Sequence, residues 1–251
     1  MKKQLVYFAS FGLVLALGSC KTTKPVISGV QSQSTPVEET IVKTEYQAKM
    51  QVKQVNPIDL EEDLTFADEI VLSYTLTAVD EQGKIAQVVT GSFGVESVKA
   101  GQVLSSDRFK PIELIVPENG RLLASVVLNE IDDYTKAQEL VKKINEFGGV
   151  AKIPAIMVSI AEYQTPLAIV FGSLQAAGLG LKAAERFDKD DLLGQHTFQL
   201  SAQELKSGKM MYNIPLVFKG EHLKNSFHYE LNYELQLKLI KTNIPKSTAT
   251  H

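Results

Sequence analysis

Tryptophan is absent from the 251 residues, cysteine occurs once, histidine four times, and aromatic residues make up only 8%. A single thiol excludes an intramolecular disulfide framework and any zinc or iron–sulfur site built from several cysteines. The histidines, His196, His222, His228 and His251, fall in no HExxH or paired spacing. There is no P-loop, no G-x-S-x-G and no G-x-G-x-x-G, since Gly178-x-Gly180 lacks the third glycine. An excess of charge is missing too. With 26 basic residues against 29 acidic ones the formal charge is -3, without the basic footprint of a nucleic-acid binder. What remains, 44% hydrophobic and 22% charged, is the composition of an ordinary globular chain of one domain or two small ones.

The first twenty residues, MKKQLVYFASFGLVLALGSC, carry Lys2 and Lys3, an uncharged apolar run from Leu5 to Leu17, and small residues before Cys20. A basic start, a short apolar core and a small-residue cut site form an export signal, and the run is too short for a comfortable membrane span. Leu17-Gly18-Ser19-Cys20 resembles the lipobox of bacterial lipoproteins, which implies removal of residues 1–19 and acylation of Cys20, palmitate included. Several acyl chains at roughly 0.8 kcal/mol per buried methylene exceed what stable anchoring needs. In that family Lys21, where Asp would retain the protein at the inner membrane, is compatible with delivery to the outer membrane. The resemblance thus implies an outer-membrane anchor with the body on the periplasmic face. Residues 20–44, rich in Ser, Thr, Gln and Val and without a period, read as a flexible tether.

From residue 45 to 241 the pattern is mainly that of strands. Lys49–Val55 alternates polar and apolar residues, and Ile70–Val79 is β-branched and ends at the turn Asp80-Glu81-Gln82-Gly83. Further runs follow at Ala86–Thr90, Ile112–Val116, Leu122–Leu128, His196–Leu200, Tyr212–Phe218 and Tyr229–Ile240, with unbroken alternation over Phe227–Leu239. Asn119-Gly120 predicts a hairpin joining Ile112–Val116 to Leu122–Leu128. About eight strands predict an antiparallel two-sheet β-sandwich, with residues 242–251 as a disordered tail.

Residues 134–186 break this rhythm and predict a helical insertion. Ala137, Leu140, Val141, Ile144 and Phe147 have helical spacing and Gly148-Gly149 ends the run. Ile153–Leu181 carries one charge, Glu162, and reads as two apolar helices, Ala155–Tyr163 and Leu167–Ala184. Ile156, Ile160, Leu167, Val170, Phe171 and Leu174 are candidate contacts to a lipid surface or a partner, because a long low-charge segment leaves an apolar patch unless it is covered.

Beyond the insertion, Asp190-Asp191-Leu192-Leu193-Gly194 leads into a strand and Leu205-Lys206-Ser207-Gly208. Upstream lie Ala67-Asp68-Glu69-Ile70-Val71 and a strand ending Asn129-Glu130-Ile131-Asp132-Asp133. In their order these elements resemble the C2 domain family over residues 49–241, so the sandwich is expected to be C2-like. The resemblance implies a calcium site at the loop ends, with Asp63 and Asp68 in the first loop and Glu130, Asp132 and Asp188 in the third, Asp190 beside them. Calcium does take six to eight oxygens, largely from loop carboxylates. Glu130 and Glu69 replace the family's Asp and Pro, and the insertion interrupts the third loop. An EF-hand starting at Asp188 fails, because Leu192 and Leu193 hold its fifth and sixth positions.

The functional expectation is a lipid-anchored, non-catalytic binding or assembly component of the bacterial envelope with an envelope protein as partner, requiring no cofactor beyond a calcium ion if one binds. A peripheral lipid-binding protein using residues 154–181 is the second expectation, and a hydrolase with a carboxylate pair in the loops is the third.

Overall fold

Among the described residues, period-two alternation and β-branched runs become nine strands in two antiparallel sheets, the β-sandwich that the pattern predicts. The computed structural model describes residues 40–61, 66–131, 192–222 and 225–245, with positions 135, 138, 141 and 142. All of these belong to one compact unit, Glu39–His251. Cys20, Asp63, Asp132, Asp188, Asp190 and the six apolar candidates of 154–181 lie outside the described residues.

The strands are β1 (Thr40–Asp59), β2 (Asp68–Val79), β3 (Ile85–Val98), β4 (Leu104–Ser105), β5 (Ile112–Val116), β6 (Arg121–Glu130), β7 (Leu192–Leu200), β8 (Met211–His222) and β9 (Asn225–Pro245). One sheet runs β4-β1-β9-β8, and the other β3-β2-β6-β7. Both β4 and β5 pair with β1, at Gln54–Val55 and Tyr46–Met50, and so form one interrupted edge. A short helix, α1 (Ala202–Leu205), follows β7 and is closed by a capping box between Ser201 and Glu204.

Two strands reach into the segments read as tether and tail. β1 takes in Thr40–Thr44 from the segment read as tether, and β9 takes in Thr242–Pro245 from the segment read as tail. The cause is mutual, since Thr40 pairs with Pro245 and the ladder continues to Asp59 opposite His228. The positions described within the first predicted helix are helical, with Val141 buried.

The Asn119-Gly120 hairpin is corrected. β5 belongs to the first sheet and β6 to the second, so this turn passes the chain between layers. Asn119 takes the left-handed conformation at φ 58°. A side chain at Gly120 would meet the Val79 carbonyl at 2.6 Å, so the second residue is glycine because backbone approaches it closely.

The core lies between the sheets. β2 contributes Ile70, Leu72, Tyr74 and Leu76, β6 contributes Leu122, Val126 and Leu128, and β9 contributes Tyr229, Leu231, Tyr233 and Leu235. The buried phenols find acceptors. Tyr74 Oη donates to the Lys110 carbonyl at 2.7 Å, and Tyr233 Oη to that of Ala124 at 3.4 Å.

Candidate functional site

Antiparallel connectivity gathers four connections at one end of the sandwich: β1 to β2, β3 to β4, β6 to β7 and β8 to β9. This is the end where the C2 resemblance places its loops. Asp68 pairs with Val98 and Ile70 with Glu130, so the two described carboxylates of the candidate set share this end. Both are buried, Asp68 fully and Glu130 to 6% exposure. Asp68 Oδ2 accepts from the Glu61 amide at 2.9 Å and, in a short hydrogen bond, from Tyr229 Oη. Burial raises the Tyr229 phenol far above its ordinary range. The hydrogen bond to Asp68 and the charges of Asp68, Glu130 and Glu61 push it the same way.

The structure thus brings Asp68 and Glu130 together with Glu61 and Tyr229, which were not among the candidates. β9 alternation places Tyr229 on the inward face with Leu231 and Tyr233, so its burial was legible, whereas its pairing with Asp68 depends on how two sheets meet. Four of the six candidate carboxylates, Asp63, Asp132, Asp188 and Asp190, lie outside the described residues. A site of six or more oxygens needs carboxylates open toward an ion, yet the Asp68 oxygen is engaged by a phenol and an amide. Among the described residues no group of three His, Cys, Asp or Glu side chains could hold a metal.

The same end carries exposed apolar side chains. Phe66 is 77% exposed and sits in the left-handed region at φ 57°, while Val103 and Ile58 are 53% and 43% exposed. The Gly101 amide donates to the Pro57 carbonyl at 2.6 Å, holding the β3–β4 connection against the end of β1.

At the opposite end lies a polar cleft of about 410 Å³, lined by Asp80, Gln82, Asn119, Arg121, Gln199 and Ser201 among others. Its groups serve local structure. Asp80 Oδ1 accepts from the Gln82 and Lys84 amides at 3.0 and 2.8 Å, and Lys206 Nζ donates to Asn119 Oδ1 at 2.7 Å. None of the lining side chains is a histidine or a thiol, and the Ser201 hydroxyl, which donates to Glu204 Oε2 at 2.7 Å, belongs to the capping box of α1. His196 lies elsewhere, with Nδ1 3.4 Å from Tyr233 Oη and its pKa lowered by burial.

No family model matches the chain, and no curated protein matches it. Among solved structures it is similar to human GIVD cytosolic phospholipase A2 in complex with methyl gamma-linolenyl fluorophosphonate, at 7% identity and a TM-score of 0.36, over 80% of this chain and 18% of that one. A second structure of that enzyme, with terbium chloride as well, gives 6% identity and a TM-score of 0.35, over 79% and 18%. The chain therefore corresponds in length to under a fifth of the phospholipase. Scores of this size carry neither an activity nor a substrate across.

Proposed function

We propose that this chain is a lipid-anchored, non-catalytic binding component of the bacterial cell envelope, with a C2-like body. The observation that carries the reading is the position of the single cysteine, at the end of a basic, apolar, small-residue export signal and ahead of a β-sandwich. Acylation at Cys20 holds the body at the outer membrane, and residues 21–39 link it to the anchor. The non-catalytic part is supported by the use of the described carboxylates, since Asp68 is committed to the Glu61 amide and Tyr229. Full-length protein expressed in a diderm bacterium with an alkyne-palmitate label tests the anchor. The wild type takes up label and fractionates with the outer membrane. The reading is wrong if Cys20→Ser retains both properties.

A second reading, direct contact with lipid, draws on Phe66, Val103 and Ile58. All three are large apolar side chains exposed at the loop end, and an interfacial contact would cover them. This reading shifts the lipid contact from residues 154–181 to the loop end of the sandwich.

A further inference from the structure

The two sheets treat their outer faces differently. On the β4-β1-β9-β8 sheet that face is polar and open, with Lys49, Lys53, Glu230 and Lys219 exposed. On the β3-β2-β6-β7 sheet it carries charge along its middle strands only at their ends, at Glu69 and Arg121, and is closed between them. Every residue of β2 from Ile70 to Val79 is buried, although only alternate ones face the core. The outward set includes Val71, Ser73, Thr75, Thr77, Ser125, Val127 and Asn129, none more than 2% exposed. The opposite sheet covers inner faces only, so a third layer must cover this one.

The face itself describes that layer. Register aligns Thr90, Thr75, Ser125 and Thr197 in one row across all four strands, and Ser92 with Ser73 in the next. Rows of small hydroxyl side chains make a flat platform that another chain can approach closely. The hydroxyls within a row bond each other, Ser125 Oγ to Thr197 Oγ1 at 2.9 Å and Thr75 Oγ1 to Thr90 Oγ1 at 3.3 Å. Ser73 Oγ, Thr77 Oγ1, Ser92 Oγ and Asn129 Nδ2 are buried without a partner. A polar cover would satisfy such groups, whereas an apolar one leaves them orphaned.

The chain between β6 and β7 meets these requirements. It leaves at Ile131 and returns at Leu192, both at the ends of strands that carry the platform. Within it Leu167–Leu181 has no charge, two polar residues, Ser173 and Gln175, and small residues at Gly172, Ala176, Ala177, Gly178 and Gly180. The Ser, Thr and Gln of residues 21–39 would instead offer hydrogen bonds. We propose that the outer face of the β3-β2-β6-β7 sheet is the seat of this chain's own segment 154–181, bound in cis through small side chains on both sides.

The test uses the full chain with Cys20→Ser, so that each introduced thiol is the only one. Ser73→Cys reports on the platform and Lys53→Cys on the open face. In vesicle-free solution the thiol at position 73 reacts with maleimide at least roughly tenfold more slowly than that at position 53. Adding Ser173→Cys or Ala177→Cys to Ser73→Cys yields an intrachain bridge with a short bis-maleimide, identified by peptide mass. Equal labelling rates, bridges formed only between chains, or protection that appears only with phosphatidylethanolamine–phosphatidylglycerol vesicles would overturn the proposal, the last naming lipid as the occupant. Should circular dichroism show that Ser73→Cys fails to fold, Ser92→Cys on the neighbouring strand gives the same readout.

Discussion

The Tyr229 hydroxyl on β9 donates to the Asp68 carboxylate at the first residue of β2, so one hydrogen bond ties the two sheets at the loop end. The Glu61 amide donates to the same oxygen, which adds the chain leaving β1 to the junction. A residue whose neighbours match a calcium-loop motif acts here as a buried acceptor. Tyr233 makes a weaker connection of the same kind further along β9, to the Ala124 carbonyl of β6.

Replacing Tyr229 by Phe removes a donor from a fully buried carboxylate while keeping the ring. Hydrogen bonds to charged groups contribute about 1.5–3 kcal/mol, so Tyr229→Phe should lose that amount in urea unfolding. The loss should be the same in calcium and in chelator. A wild-type melting midpoint that rises with calcium would show that the carboxylates at this end serve an ion instead, because a ligand bound only to the native state raises stability.

Alkaline pH should unfold the protein cooperatively. Burial raises the phenols of Tyr74, Tyr229 and Tyr233 above their ordinary range. Above about pH 10 the unfolded chain releases protons that the folded chain keeps, so the unfolded state binds fewer and stability falls as pH rises. Three such groups give a slope of roughly 4 kcal/mol per pH unit once the unfolded phenols are ionised. Tyr233→Phe, whose 3.4 Å hydrogen bond is the weakest of the three, should reduce that slope by about one third. Unfolding free energies measured from about pH 9 to about pH 12 decide the matter, and a flat limb would mean that the phenols are not held protonated by the fold.

Gly194 explains the glycine that closes the Asp-Asp-Leu-Leu-Gly element. A side chain there would lie 2.1 Å from the Phe218 ring, which β8 of the other sheet packs into the core. Gly194→Ala should therefore cost at least about 1–3 kcal/mol through overpacking. Removing the ring with Phe218→Ala, which takes away the Cγ, Cδ1 and Cδ2 atoms that a side chain at position 194 would meet, should make the same substitution cheaper. A double-mutant cycle reads this directly, and additive costs would show that the two residues do not share the space.

The extent to which the fold was legible follows from the same residues. Alternation along Phe227–Leu239 marked β9 because one face is wet and the other dry, and Ile112–Val116 was read to the residue. β4 was missed, as two residues carry no period. Asn119-Gly120 misled because its left-handed turn serves a crossing between layers as well as it serves a hairpin. Of the candidate site, Asp68 and Glu130 were found through motif order. Their burial was not, because loop acidity looks the same in a sequence whether the carboxylate faces water or a tyrosine from the other sheet.

Phe66 separates a binding surface from a structural one. Its side chain is 77% exposed and its backbone is left-handed, a conformation that asparagine tolerates better than phenylalanine. Phe66→Asn should thus leave the melting temperature unchanged or slightly higher, within about 0.5 kcal/mol of wild type or above it. Lipid contact at the loop end should weaken at the same time. In the full chain carrying Cys20→Ser, the fraction sedimenting with phosphatidylethanolamine–phosphatidylglycerol vesicles should fall severalfold, and further with Val103→Ser. Because each buried methylene contributes roughly 0.8 kcal/mol to membrane affinity, losing a ring is a large effect even for a shallow contact. Unchanged sedimentation would remove the loop end as a lipid-facing surface. A clear drop in stability would instead assign Phe66 to packing.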